Sequence, residues 1–383
     1  MNIFYILYKK MENSNKSYNN IQVKDEGEYP LNLKKNNKIK IYNYFYILRI
    51  ISSYAVLLIH ITVDYRVRKQ KNYNDWKIYF FYNGISRFGV PIFFMISGSI
   101  FLNRDISFKN VFNKYIKRIL IHLIIWSFIY SIYNIKISKI NYKSILYKFI
   151  NSHYHLWYLF ETMKLYMVVP FLRDISKKDE LLKIFLILSF IFTYLFPFII
   201  ILLSYYSIPA SNLLNIIYEK ININYITGYV FYFMLGYFLN CKLEINKKIR
   251  FFIYFFGLLC ICFNIKFFNY IGIKKEDENN YMTLININII IYSASIFILT
   301  KNLFNRNNSQ ISNFIKIISN NTFGIYLIHP LIIDKINWNK INKLFSSLKV
   351  IFRIPLICSL IFILSLLISI IIKYIPIIGN YIF

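Results

Sequence analysis

The stretch Tyr44–Val63, YFYILRIISSYAVLLIHITV, decides the fold class of this chain. It is long and apolar enough to cross a bilayer as one helix, which needs about 20 such residues. It also carries two ionisable residues, Arg49 and His60, eleven positions apart. Eleven steps bring the second side chain back to within about 20° of the first, about 16 Å along the helix axis. The stretch therefore predicts a membrane-spanning helix that presents a cation and an imidazole on one face.

Similar apolar stretches recur to the end of the chain, and 57% of the 383 residues are hydrophobic. That composition is too apolar for a soluble globular protein. We predict an all-α, polytopic membrane protein with about ten transmembrane helices in one bundle. The predicted spans are 44–63, 79–102, 115–134, 155–172, 181–204, 223–240, 251–272, 282–300, 321–334 and 351–372. The polar residues 1–40 predict a disordered basic tail, and residues 41–383 predict a single membrane domain.

The formal net charge of +29 does not point to a nucleic-acid partner. The Lys residues are spread over the loops rather than gathered in one patch, and Lys, Asn, Ile, Tyr and Phe are enriched together, as an AT-rich genome would produce. We attribute the charge to this composition and to attraction of lipid headgroups. The four cysteines form no Cys-x-x-Cys pair, so we expect neither a disulfide framework nor a metal site.

The distribution of Lys and Arg predicts the orientation in the membrane. Four Lys residues lie within 34–40, directly before the first span, and cytoplasmic loops carry an excess of such cations. We therefore expect a multi-pass protein of the cell membrane with cytoplasmic N- and C-termini. Arg49 then lies in the cytoplasmic third of its helix, and His60 lies near the outer end.

Ionisable residues inside a membrane span are costly and usually functional. Ser53 and Val56 are small and share the face of Arg49 and His60, so they predict a groove between the two. Asp64 follows His60 by one turn and is suited to orient its imidazole, as a carboxylate does for a catalytic base. The alternative is a snorkelling Arg at one end and an interfacial His at the other.

The second informative segment is Asn83–Leu102, NGISRFGVPIFFMISGSIFL. Pro91 lacks a backbone N–H and predicts a kinked span. Small residues around Gly98 predict close helix packing. Arg87 enters from the outer side at about the depth of His60, where a cation can hold a polar substrate or a developing oxyanion. A snorkelling Arg would have the same sequence position.

From about Tyr44 to its C-terminus, the chain resembles the acyltransferase 3 family of integral membrane acyltransferases. Four segments in order carry the resemblance: Arg49-x10-His60, Arg87 with Val90–Gly98, His155–Leu159 with Tyr166 and Pro170, and Phe323–Pro330. The family implies transfer of an acyl group, commonly acetyl from cytoplasmic acetyl-CoA, to a glycan hydroxyl outside the membrane. It also implies an essential first-helix histidine, which is His60, and a paired arginine, which is Arg49.

The third span departs from the family pattern. Members often carry Arg-x-x-Arg at its cytoplasmic start, whereas here Tyr115 stands at the first position and Arg118 at the second. Lys114 and Lys117 retain positive charge beside them. These three cations predict the site that attracts the phosphates of acyl-CoA, although a positive-inside cluster is equally typical of this place. We expect acyl-CoA as a donor substrate and no permanently bound cofactor.

Trp157 opens the fourth predicted span and His329 ends the ninth, both on the outer side, and they are assigned, with Arg87, to the acceptor side. An interfacial anchor for Trp157 and a capping or packing role for His329 are the alternatives. We expect His60 to be the general base of an O-acyltransferase acting on a cell-envelope glycan or glycolipid; an acyl-His relay also fits. A transporter or flippase of a lipid-linked sugar or polysaccharide precursor is the alternative function. The titratable His60 aligned with Arg49 favours chemistry over passive carriage.

Overall fold

The computed structural model describes residues 42–63, 73–133, 142–221, 228–274, 278–305 and 311–375. Within these ranges the regular structure is helical, which confirms the all-α prediction. We number the helices α1 Asn43–Val63, α2 Tyr73–Ser86, α3 Gly89–Phe101, α4 Phe108–Tyr133, α5 Tyr142–Asn151, α6 Trp157–Lys177, α7 Asp179–Tyr205, α8 Ala210–Ile221, α9 Tyr229–Tyr237, α10 Lys247–Lys274, α11 Glu278–Asn305, α12 Asn313–Asn320, α13 Thr322–Lys335, α14 Trp338–Leu344 and α15 Val350–Tyr374. The predicted tail 1–40 and Asp64 lie outside the described residues.

Six helical stretches in the described ranges are long and apolar enough to cross a membrane. They are Asn43–Val63, Lys77–Phe101, Phe108–Tyr133, Asp179–Tyr205, Asn286–Phe304 and Val350–Tyr374. The other four predicted spans coincide with α6, α9, α10 and α13. The chain is therefore an all-α, multi-pass membrane protein, while the number of ten spans remains a prediction.

Helix α1 lies in the middle of the bundle, packed against α2, α3, α11, α13 and α15. Its two halves belong to different hydrophobic cores. Tyr44 and Leu48, in the first half, pack with residues of α3, α6 and α9 in what we call the Arg49-side core. Leu57 and Ile61, in the second half, pack with residues of α4, α13 and α15 in what we call the His60-side core. The one helix therefore connects two separately packed regions.

The segment predicted as one kinked span is two helices. Helix α2 ends at Ser86 and α3 begins at Gly89, with a turn at Arg87 and Phe88 between them. Pro91 lies in the first turn of α3, where the N–H that it lacks has no partner within the helix. The break places Arg87 at a helix boundary within the membrane-length stretch Lys77–Phe101.

Helices α3 and α9 cross with almost no space between their backbones. A Cβ atom on Gly98 would lie 1.8 Å from the carbonyl oxygen of Phe233, and one on Gly236 would lie 2.1 Å from that of Met95. Ser99 Oγ donates a hydrogen bond across the crossing to the Gly236 carbonyl at 2.7 Å. This confirms the close packing predicted from the small residues around Gly98 and fixes the Arg49-side core.

Candidate active site

Helix α1 carries Arg49 and His60 without interruption. No Gly or Pro occurs within Asn43–Val63, so the two side chains keep their common face and their axial separation of about 16 Å. The prediction of a groove between these two side chains is wrong. Ser53 and Val56 are buried, and a Cβ on Gly89 of α3 would lie only 3.1 Å from Val56 Cγ2. Helix α3 therefore closes α1 where the groove was expected.

The imidazole of His329, on α13, lies beside that of His60. Their ring centroids are 5.1 Å apart, and His329 is fully buried. The Nδ1 atom of His329 is 3.1 Å from the carbonyl oxygen of Ile325. Because a carbonyl only accepts hydrogen bonds, Nδ1 carries the proton and Nε2 keeps a lone pair. In the described part of the chain, that Nε2 atom has no hydrogen-bond partner.

Two more histidines join this pair from the loop before α6. The Nδ1 atoms of His153 and His155 are 2.7 Å apart, and the His155 ring lies 5.8 Å from that of His329. Tyr130 of α4 stacks on His153, with 4.2 Å between ring centroids. Burial lowers the pKa of His153 to about 4, so its ring is uncharged at neutral pH. We call His60, His153, His155 and His329 the histidine cluster; it contains four of the five histidines of the chain.

Two tyrosine hydroxyls fix the backbone around the histidine cluster. Tyr326 donates to the His155 carbonyl at 2.6 Å, which ties the loop before α6 to α13. Tyr130 donates to the Leu327 carbonyl at 2.8 Å, which ties α4 to α13. A buried phenol needs such a polar partner. The positions of the four imidazoles therefore depend on contacts among several helices.

No role was predicted for His153, and His155 was named only in the family motif and at the start of the predicted span 155–172. Their His-x-His spacing was a usable signal of two adjacent imidazoles. Their contact with His329 was not predictable, because it depends on how α13 packs against a loop far away in sequence. Within the described ranges, no three His, Cys, Asp or Glu side chains are placed to bind one metal ion.

Three tyrosines, which we call the tyrosine row, connect the Arg49 end of the site with the histidine cluster. Arg49 lies within electrostatic range of the phenols of Tyr166 and Tyr158, both on α6. The Tyr158 ring lies 5.5 Å from that of Tyr326, which in turn lies 6.3 Å from that of His329. Tyr158 packs against both hydrophobic cores. The tyrosine row therefore lies between Arg49 and the histidine cluster, in the region where the groove was predicted.

Arg87 is connected to α1 close to His60. Its Nε donates to Asn83 Oδ1 at 2.8 Å, and Asn83 Nδ2 donates to Thr62 Oγ1 at 3.0 Å. Thr62 also donates to the Leu58 carbonyl at 2.7 Å. Because Thr62 follows His60 by two residues, this chain of bonds fixes the guanidinium at the same end of α1 as the imidazole.

Trp157 and Arg87 border the same side chain, Tyr229 at the start of α9. The rings of Trp157 and Tyr229 are 5.3 Å apart, and the charges of Arg87 and Glu161 act on the Tyr229 phenol. Trp157 keeps 39% of its surface exposed. The structure thus brings together two of the three residues predicted on the acceptor side and adds Tyr229 and Glu161. The third, His329, is instead buried beside His60.

The predicted donor-side cations lie at the beginning of α4. Lys114, Lys117 and Arg118 are all exposed. Lys114 lies within the π-helical turn Val111–Ile116, and the other two directly follow it. Such turns are often found at functional sites. The structure groups the three cations on one short stretch that solvent can reach.

Tyr115, which replaces the first arginine of the family pattern, points inward. Its ring lies 4.8 Å from that of Phe101 and 6.5 Å from that of Tyr166. Tyr115 therefore extends the tyrosine row towards the exposed cations. A neutral ring therefore occupies the first arginine position of the family pattern.

Comparison with known proteins agrees with these features. The sequence profile of the acyltransferase 3 family, described as "Acyltransferase domain", matches residues 42–374. This match covers nearly the whole chain and includes all four segments of the resemblance, and the chain belongs to this family of membrane acyltransferases.

Proteins of Staphylococcus aureus are among the similar sequences. One from strain MRSA252, named "Probable poly-beta-1,6-N-acetyl-D-glucosamine export protein", is 24% identical over 304 residues, covering 76% of this chain and 80% of the relative. Proteins of the same name from strains MSSA476 and N315 match with the same identity and coverage. No solved structure shows a significant match.

Proposed function

We propose that this protein transfers an acyl group from cytoplasmic acyl-CoA to a hydroxyl group of a cell-envelope glycan or glycolipid. Acetyl is the first acyl group to test. The observation that carries the proposal is the arrangement along α1. Arg49 lies at one end of the tyrosine row, and His60 lies with the histidine cluster at the other. A cation for the donor and an imidazole for the chemistry are thus held on one helix.

His60 acts as the general base. A sugar hydroxyl is a poor nucleophile at neutral pH, so the base takes its proton as the oxygen attacks the thioester carbonyl carbon. The tetrahedral intermediate then collapses, the C–S bond breaks, and the proton passes to the leaving sulfur. Arg87 stabilises the negative oxygen or holds the acceptor. Asp64, one turn after His60, orients the imidazole.

The donor enters from the side of Lys114, Lys117 and Arg118. Their charges attract the phosphates of acyl-CoA, while the narrow pantetheine arm follows the tyrosine row past Arg49 to His60. Exposed cations contribute little each, so we expect the combined Ala substitution of all three to raise the KM for acetyl-CoA about tenfold at low salt. The effect should shrink at high salt, where charges are screened.

A matched control for this prediction is the combined Ala substitution of Lys177, Lys178 and Lys183, which are exposed near the boundary of α6 and α7. It removes the same charge and should leave the KM for acetyl-CoA unchanged. An equal rise in both triple variants would assign the effect to net charge and contradict a local donor site.

The acceptor meets the surface formed by Trp157, Tyr229 and Arg87. The exposed ring of Trp157 offers an apolar face to a sugar ring, with the partly buried Tyr229 behind it. Arg87 and Glu161 supply polar groups beside them. The Staphylococcus aureus relatives are named for a polymer of β-1,6-linked N-acetylglucosamine. A polymer of this amino-sugar class is therefore the first acceptor to test.

Export of a polysaccharide or its lipid-linked precursor is the second candidate function, because the relatives are named as export proteins. The two functions differ in what a defective protein changes. An inactive acyltransferase leaves the amount of surface glycan intact and removes its acyl groups. An inactive exporter lowers the amount of surface glycan.

The test compares cells that carry the native protein, His60→Ala or the control His122→Ala at equal protein levels. His122 lies outside the histidine cluster and contacts Phe323. Mass spectrometry measures the acyl content and the amount of surface glycan. General-base catalysis contributes about 100- to 10,000-fold, so acylation should be lost in His60→Ala alone, with unchanged glycan. Normal acylation in His60→Ala would contradict the proposal, and loss of glycan itself would favour export.

A further inference from the structure

His329 is an imidazole that the proposed mechanism does not use. It is fully buried, so it touches neither the sugar nor the bulk of the donor. Its Nδ1–H is engaged by the Ile325 carbonyl, which fixes the ring and leaves the lone pair on Nε2. Burying a polar nitrogen without a partner is unfavourable. The described part of the chain supplies no such partner in the resting state, which suggests that Nε2 acquires one during the reaction.

The neighbouring ring of His60 is placed to be that partner. A ring nitrogen lies about 1.1 Å from the ring centre, so two imidazoles joined by an N–H···N bond of about 2.9 Å have centroids about 5 Å apart. The observed separation between His60 and His329 is 5.1 Å, so the two rings are already close enough, and only their orientation must change for the bond to Nε2 to form. The titratable groups facing His329 are His60 from α1, His153 and His155 from the loop, and Tyr326 from its own helix.

His60 requires such a partner at one moment of the reaction. When it takes the hydroxyl proton it becomes a cation within an apolar span, where water does not solvate it. A hydrogen bond from this imidazolium to a neutral nitrogen is charge-assisted and stronger than one between neutral groups. The partner therefore stabilises the charged state of the base more than its neutral state, which is the condition for accelerating the chemical step.

We propose that His329 is a positioning residue that shares with His60 the proton taken from the acceptor hydroxyl. This inference rests on the proposed function. The hydroxyl O–H bond breaks as its oxygen attacks the thioester carbon, and the proton goes to His60. The N–H of the resulting imidazolium then donates to Nε2 of His329. When the C–S bond breaks with its electron pair on sulfur, His60 returns the proton to the thiolate, and its hydrogen bond to Nε2 of His329 becomes one between two neutral rings.

The test uses the purified full chain with acetyl-CoA and a β-1,6-linked N-acetylglucosamine acceptor. His329→Asn keeps an amide that can donate to the Ile325 carbonyl but removes the Nε2 position. His329→Gln places an oxygen near that position, which accepts a hydrogen bond from His60. His122→Asn is the matched control. We expect kcat to fall about 10- to 100-fold in His329→Asn, less in His329→Gln and not in the control, with the KM for acetyl-CoA unchanged.

Two further readouts separate this role from a structural one. The acidic limb of the kcat profile should move to lower pH in His329→Asn, because protonated His60 has lost its partner. In the native protein, kcat in mixtures of H2O and D2O should curve with the deuterium fraction, as expected when two protons move. A linear dependence would overturn the inference even if every His329 variant fails to fold.

The outcomes distinguish this inference from the proposed function. A native protein that transfers no acyl group from acetyl-CoA contradicts the proposed function and this inference with it. If the native protein transfers the acyl group and His60→Ala does not, the proposed function stands. If His329→Asn then keeps the native kcat and pH profile, this inference alone is contradicted.

Discussion

At the scale of residues, the chemistry depends on side chains that come from several parts of the chain. His60 is on α1, but its neighbouring ring is His329 of α13, and Arg87 is held at the same end of α1 through Asn83 and Thr62. In an apolar surrounding each of these polar contacts is strengthened by the low dielectric, and a lost partner is correspondingly costly. Substitutions near His60 should therefore change the kinetic parameters for the acceptor more than those for acetyl-CoA.

Asn83→Ala tests this expectation. Asn83 is buried and joins Arg87 to α1, so its loss removes one of the hydrogen bonds that orient the guanidinium. A hydrogen bond to a charged group is worth roughly 1.5–3 kcal/mol, and we expect kcat/KM for the acceptor to fall at least about tenfold. The KM for acetyl-CoA should stay unchanged. Steady-state kinetics with each substrate varied in turn measures both.

The matched control is Asn215→Ala, which removes an amide that donates to Glu219 on an exposed helix surface. It should leave both kinetic parameters unchanged. If kcat/KM falls equally for the donor and the acceptor in Asn83→Ala, the residue contributes only to folding, and the expectation is contradicted.

The common face of Arg49 and His60 followed from the sequence, because it depends only on the period of one helix. The groove between them did not follow. Val56 is small, which suggested open space, but α3 approaches with Gly89 and closes it. The histidine cluster was missed for the same physical reason: His153 and His329 meet only through tertiary packing. Local periodicity predicts which residues share a face and not what covers that face.

At the scale of elements, two features determine where the residues of the site lie. The break between α2 and α3 puts Arg87 at a helix boundary, and the glycine crossing of α3 with α9 holds the Arg49-side core together. The small residues of this crossing were readable in the sequence around Gly98. Their partner Gly236 was not, because it lies in another helix far along the chain.

Gly98→Ala should disrupt the α3–α9 crossing. The added Cβ would lie 1.8 Å from the Phe233 carbonyl oxygen, a distance at which a backbone must move. Overpacking commonly costs about 1–3 kcal/mol and more when a backbone is displaced. We expect a clear loss of monodisperse protein in detergent and a lower Tm for what remains. Leu202→Ala, at a surface position of α7, is the control, and equal behaviour of the two variants would contradict the close crossing.

At the scale of the whole molecule, α1 connects the Arg49-side and His60-side cores, and the proposed reaction uses that connection to bring a donor from one side to an acceptor on the other. The all-α, multi-pass class followed from composition and from the length of the apolar stretches. The number of spans follows less directly, because α9 and α13 have only 9 and 14 residues and α6 combines apolar and charged residues. The orientation rests on the distribution of Lys and Arg alone.

Cysteine labelling tests the orientation. With all four native cysteines replaced by Ser, Tyr206→Cys lies in the connection between α7 and α8, predicted outside, and Lys178→Cys lies in the connection between α6 and α7, predicted inside. Both positions are exposed. A membrane-impermeant maleimide should label Tyr206→Cys in intact cells and Lys178→Cys only after permeabilisation. The reverse pattern would place Arg49 on the outer side and contradict the proposed donor entry.

The most direct test of the central claim is acyl transfer by the purified full chain in detergent, where transport across a membrane is absent. Radiolabelled acetyl-CoA and a β-1,6-linked N-acetylglucosamine acceptor are supplied, and label in the acceptor is counted for the native protein, His60→Ala and His122→Ala. The account predicts transfer by the native protein and by His122→Ala, and a loss of at least about 100-fold in His60→Ala. Equal transfer by His60→Ala, or no transfer by the native protein, would contradict it.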